Sequence, residues 1–253
     1  AGYFLQGDGI LRVNNTTGES NSIDNSITDE SGSGLSGSGG TNGVWTLEKT
    51  GAGTLILGGA NTYTGATTVT AGSLINNGNL TSTTTIQSGA TLGGTGTFTS
   101  LVTAHSGAIF APGNSPGTTT YTGGLSIADG TIFNFELGTS SDLIVVNGGT
   151  LTGPASAGGA TFNLTDSGGF AAGTYDLING TGATVSGFDV TDFTIGTGVA
   201  GYDFVFGMAG NVLQLTATVS AVPEPSTSSG PDSGLTARTL TSGAPVSRWR
   251  ASG

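Results

Sequence analysis

The sequence predicts an all-β protein, a right-handed parallel β-helix. Three observations point to it: 48 glycines, a charged fraction of only 8%, and short apolar runs that recur at a spacing near 20 residues. An ordinary soluble domain has about 25% charged residues, so Thr, Ser and Asn must solvate this surface. A disordered chain would lack the evenly spread Val, Ile, Leu and Phe. Here those residues stand in short runs closed by Gly, Asn-Gly and Ser-Gly, the pattern of many short strands with tight turns. Thr and Val favour strands because branching at Cβ stiffens the first side-chain torsion. Lys49 is the one Lys and Met208 the one Met, so good helix formers are scarce.

The coil period is read from a recurring unit, apolar-x-apolar-x-x-Gly-x-apolar. It occurs at Val69–Leu74, Ile86–Leu92, Val102–Ile109, Ile127–Ile132 and Val145–Leu151. The marker glycines Gly72, Gly89, Gly107, Gly130 and Gly149 lie 17, 18, 23 and 19 residues apart. A propeller blade needs about 40–45 residues, and a leucine-rich repeat would show an Asn ladder. One β-helix coil fits, with alternate apolar residues stacking inward on those of the next coil. Over residues 1–225 this gives roughly 11 coils and a rod of about 50 Å. Leu55 and Leu57 are expected in the core, and Thr67 is taken as an outward position. An antiparallel sandwich is the competing architecture, disfavoured because its hairpins would show stricter two-residue turns.

Composition also excludes functions. There is no Cys, which removes disulfides and thiolate metal sites. Residues 1–225 carry 15 acids and two bases, a balance that cannot neutralise phosphates, so no nucleic-acid partner is expected. No run of about 18 apolar residues is present, so no direct membrane insertion is expected. The chain starts at Ala1 and reads as beginning inside a longer product. The expected organisation is divergent N-terminal coils over 1–42, the parallel β-helix over 43–221, a short motif at 222–226 and a disordered tail over 227–253.

Residues Leu47 to Val69, reading LEKTGAGTLILGGANTYTGATTV, with Ala71-Gly72-Ser73-Leu74 completing the unit, resemble the autotransporter-associated β-strand repeat. The residues that carry the likeness are Lys49, Gly51, Gly53, Thr54, Leu55, Leu57, Asn61, Thr62, Tyr63 and Gly65. Ala111 to Gly117, reading APGNSPG, resembles a turn common in such proteins, and residues 10–40 look like a divergent preceding coil. The resemblance implies a secreted or surface-displayed β-helix of a Gram-negative bacterium, acting as an adhesin or stalk. Val222-Pro223-Glu224-Pro225-Ser226 resembles the start of a PEP-CTERM sorting signal. That likeness implies export and sorting machinery as partners and an association with extracellular polysaccharide and biofilm. The apolar helix that should follow is missing: residues 227–253 are polar with scattered Arg, as a frameshifted tail would be.

Catalytic chemistry finds few carriers. His105 is the one His and has no second His or Cys with which to share a metal, so it reads as an outward coil residue. Asp189 with Asp192, and Asp166 with Asp176, are the closest carboxylate pairs. A polysaccharide lyase or glycosidase of β-helical fold is the alternative function, and it would need such acids converging in a groove. Between Val44 and Pro225 the one base is Lys49. Calcium-roll and phosphate-loop patterns are absent; Asp8-Gly9 and Asp129-Gly130 read as turns. Trp45, Tyr63 and Tyr121 are expected to cap or fill coils. No enzyme activity, cofactor or metal is expected, and the location is extracellular or on the outer cell surface.

Overall fold

A computed structural model describes residues 2–34 and 42–221. The chain winds through three eight-stranded sheets in turn, the architecture of a parallel β-helix. The first sheet stacks Gly9–Asn14, Trp45–Thr50, Thr67–Val69, Thr84–Ile86, Val102–Ala104, Leu125–Ile127, Thr150–Thr152 and Thr184–Ser186, all parallel. The second runs from Ser20–Ile23 through Thr54–Leu57, Ser73–Asn76, Thr91–Gly94, Ile109–Pro112, Thr131–Leu137 and Ala160–Asp166 to Phe193–Thr197. The third opens at Ala60–Asn61 and ends in an antiparallel hairpin, Tyr202–Ala209 with Val212–Val219. Tyr3–Leu5 and Ile27–Asp29 pair separately, and the Thr62 N–H donates to the Ile27 carbonyl, carrying the N-terminal coil onto that third sheet. Helix among the described residues is confined to Glu30–Ser33 and a 3-10 turn at Val190–Asp192.

Alternation fixes which side chains face inward. Three-residue strands such as Thr84–Ile86 read buried, half-buried, buried. In the first sheet Leu47, Thr67, Thr84, Val102, Leu125 and Leu151 lie in register as one inward column. In the second, Leu55, Leu74, Leu92, Phe110, Phe133 and Phe162 form another. That column changes from leucine to phenylalanine towards the C-terminal end. The rings of Phe110 and Phe133 stack at 5.3 Å and those of Phe133 and Phe162 at 4.6 Å. Stacked aromatic pairs of this kind add about 0.5–1.5 kcal/mol beyond the area they bury. Phe206, from the terminal hairpin, lies 5.5 Å from Phe162 and closes the column.

Four expectations change. Each sheet has eight rungs where 11 coils are expected; at about 4.8 Å per rung this gives a stack of roughly 35 Å. The difference is one of period, which is longer than 20 residues at both ends of the stack. Gly89, Gly107 and Gly130 mark one corner, joined rung to rung by N–H to carbonyl bonds, but the next member is Gly159, 29 residues on. Gly149 belongs to a different corner, where it lies over Gly123. The later coils carry longer strands, seven residues in Thr131–Leu137 and Ala160–Asp166, so their period lengthens. The strands over 43–220 are not all parallel, because Val212–Val219 runs antiparallel to Gly173–Asn179. An antiparallel closing strand ends the winding. Thr67 is buried, not outward: its hydroxyl lies 2.6 Å from both the Tyr63 hydroxyl and the Ser82 hydroxyl. The motif at Val222–Ser226 and the tail over 227–253 lie outside the described residues, as do residues 35–41 of the glycine-rich stretch.

Candidate functional site

The coil spanning Trp45 to Val69 holds the motif residues, and each has a local task. Alternation from Leu47 points Lys49 into the first sheet's inward face, in register with Val13 and Val69. Its ammonium reaches the corner and donates to the carbonyls of Thr50 and Gly51 at 2.8 Å and of Ala71 at 3.1 Å. Three donors meet three acceptors, so the buried charge is matched; its pKa is lowered by desolvation. Gly51 has φ +73°, and a Cβ there would stand 2.2 Å from the Asn15 carbonyl. Gly53 donates to that same carbonyl, and Thr54 to the carbonyl of Glu19. Leu55 and Leu57 are fully buried. Asn61, also buried, accepts from the Ile27 N–H and donates to the Gly59 carbonyl, clipping two coils together. The Thr62 hydroxyl donates to that of Thr28. Burial pushes the Tyr63 phenol up to about 12. Gly65 passes so close to Trp45 that a Cβ would meet its carbonyl at 2.4 Å. The motif is thus a set of coil-closing and coil-stacking devices.

The acids follow the same logic. Of the 14 carboxylates among the described residues, 12 accept hydrogen bonds. Asp29 is the fullest case: burial raises its pKa, but the N–H groups of Thr64, Trp45 and Gly32 and the Thr64 hydroxyl outweigh that and hold it below the usual value. Asp189 and Asp192 form a reciprocal capping box on the 3-10 turn. Asp166 accepts from the N–H groups of Gly168 and Phe170, and Asp176 from the Gln214 amide. The two carboxylate pairs weighed for the alternative, carbohydrate-active function accept hydrogen bonds as turn and strand clips. His105 is exposed on a corner; Tyr63 and Tyr121 fill the lumen, while Trp45 is half-buried with its indole donating to the Gln6 carbonyl. Among the described residues no three His, Asp or Glu side chains are grouped to hold a metal, and no helix is long and apolar enough to cross a membrane.

One cleft breaks this pattern, a depression of about 400 Å³ on the outside of the second sheet. Its floor arises where the outward column passes from Ile75 to Gly93 and Ala111, losing its side-chain bulk. Asn134 and Glu136 bound it on the next rung, in register with Asn163 and Thr165. The turn Gly113–Gly117 forms the rim, and Asp142 fixes that rim. Asp142 is 1% exposed; its Oδ1 accepts from Gly117 N–H and its Oδ2 from Glu136 N–H, both at 2.8 Å. Its pKa is raised to about 6: desolvation pushes it up most, the nearby Glu136 charge adds to this, and the two N–H groups pull it partly back. Glu136 and Asp203 are the two described carboxylates that accept no hydrogen bond, and Glu136 lines the cleft.

A carboxyl more easily protonated in the folded state stabilises the fold most below its unfolded pKa of about 3.9, and that contribution is lost as pH rises through about 6. Asp29, shifted the other way, contributes above its unfolded value and loses that contribution as pH falls below it. The melting temperature should therefore fall between pH 4 and 6.5 on account of Asp142. Asp142→Asn should flatten this slope, and should also lower stability by about 1–3 kcal/mol because its amide N–H would face a backbone N–H. An unchanged slope in the variant would show that another group titrates there.

The sequence alone gives Glu136, Asp142 and Asn134 no site role: Asp142 lies 25 residues from Gly117 and no local pattern links them.

Residues 47–75 match a family model described as passenger-associated-transport-repeat. The match begins at Leu47 and ends one residue beyond Leu74, covering the coil whose stacking devices are described above. No curated protein matches the chain.

Proposed function

We propose that this chain is a structural and adhesive segment of a secreted or cell-surface protein, a stiff β-helix that extends from the cell and contacts extracellular polysaccharide or another surface. The observation that carries the reading is the use of its chemistry: Lys49 and 12 of 14 described carboxylates serve coil corners and strand contacts, inside a solenoid whose coil 47–75 matches a passenger-type repeat. Charges so engaged serve rigidity rather than turnover. The single-column sheet faces add outward hydroxyls, Thr68, Thr85, Thr103, Ser126 and Thr152 in register, which solvate the surface without repulsion between coils. Export and sorting machinery would deliver the protein; Val222–Ser226 is the segment proposed to address it.

Two measurements test the reading. Immunogold labelling of intact cells should place the protein on the outer surface; confinement to the cytoplasm would overturn it. Purified protein incubated with a polysaccharide panel should release neither reducing ends nor unsaturated products. Turnover abolished by Glu136→Gln would replace the structural role with the carbohydrate-active one.

A further inference from the structure

We propose that the cleft on the second sheet is a binding site for a neutral sugar unit, with Glu136 as the group that accepts from its hydroxyls. Three independent features converge there. The floor is a built depression: Gly93 cannot carry a side chain without meeting the Ala111 carbonyl at 2.3 Å, so the surface dips between Ile75 and Asn134. The rim is held: both oxygens of buried Asp142 are committed to Gly117 and Glu136 N–H groups, which fixes the Gly113–Gly117 turn against the strand that carries Glu136. The Glu136 side chain is uncommitted where nearly every other acid of the described chain is bonded.

The chemistry of the lining selects the ligand class. At about 400 Å³ the cleft lies within the 300–1,000 Å³ range of small-molecule sites and holds one or two pyranose rings. Ile75, Ala111 and Pro112 offer an apolar patch for the C–H face of a ring. Around it stand a free carboxylate, two amides and two hydroxyls, from Glu136, Asn114, Asn134, Ser115 and Thr165. Asn134 uses its carbonyl oxygen to accept from Asn163, which leaves its N–H groups to donate. A carboxylate beside amides pairs with vicinal hydroxyls, accepting from one and leaving the amides to donate to another. The described bases are Arg12 and Lys49; Lys49 is engaged by three carbonyls and Arg12 by Glu48. Two acids and no base line the cleft, so anionic sugars such as uronates are repelled. This inference deepens the adhesive reading and rests on it for the polysaccharide as the source of the sugar.

The experiment titrates the full chain with maltose, cellobiose, lactose, a digalacturonate and, separately, calcium chloride, followed by calorimetry and by melting temperature. At least one neutral disaccharide should bind, digalacturonate should bind more weakly, and Glu136→Gln should weaken binding by about tenfold or more. Asn114→Ala, at an exposed position on the rim, should weaken it as well, while Thr103→Ala on the first sheet should not. Glu136 accepts no bond in the fold and its charge opposes that of Asp142, so Glu136→Gln should melt no lower than the wild type. The proposal fails if no neutral disaccharide binds, if Glu136→Gln binds as the wild type does, or if calcium alone occupies the site. Surface display without cleft binding would sink this site and leave the adhesive role standing; cleft binding by a cytoplasmic protein would do the reverse.

Discussion

Leu55→Asp should cost about 4–5 kcal/mol or abolish folding. Leu55 is fully buried, in register with Leu74 in the leucine column of the second sheet. A carboxylate there would sit among apolar side chains, and an unpaired buried charge is among the few single changes that reach this size. The buried cation of the same coil, Lys49, already gives its three donors to carbonyls. Total stability of a domain is of the order of 5–15 kcal/mol, so most or all of it would be lost. Leu55→Met, which conserves volume, should cost less than about 1.5 kcal/mol. Thermal melts of the three proteins check this. Equal melting temperatures for wild type and Leu55→Asp would mean that the inward and outward positions of this strand are exchanged.

Lys49→Met should destabilise by about 2–4 kcal/mol, although it replaces a charged group with an apolar one of similar length. Two effects oppose each other. Removing a buried ammonium recovers its desolvation cost, which by itself favours methionine. Against this, the Gly51 and Ala71 carbonyls lose their donor, while the Thr50 carbonyl keeps the Asn15 N–H, and each enclosed acceptor left unsatisfied costs about 1–3 kcal/mol. Two such acceptors outweigh one recovered desolvation. Lys49→Arg should not rescue, because a planar fork cannot converge on three carbonyls that surround a compact ammonium. Urea denaturation of the three proteins provides the measurement. A Met variant as stable as the wild type would show that the corner carbonyls find other donors.

The amino-acid sequence alone determined the period-two alternation, the all-β character and the repeat. Leu55 and Leu57 are inward because alternation in a short strand leaves no other choice once one face is buried. The corner at Gly89, Gly107 and Gly130 was legible because positive φ demands glycine there. Lys49 shares the alternation of Leu47, but only the structure shows its ammonium enclosed at the corner, where three carbonyls accept from it. Only the tertiary structure decided the phase of the later coils. Gly130 pairs with Gly159 and not Gly149, because strand length and corner loops vary from coil to coil and nothing local records which glycine lies over which. It also decided the antiparallel closure at Val212–Val219, since parallel and antiparallel strands share one alternation pattern. The cleft belongs to the same class. Gly93 lies over Ala111, and Asp142 reaches Gly117, because coil stacking converts a separation of one winding into a distance of one rung.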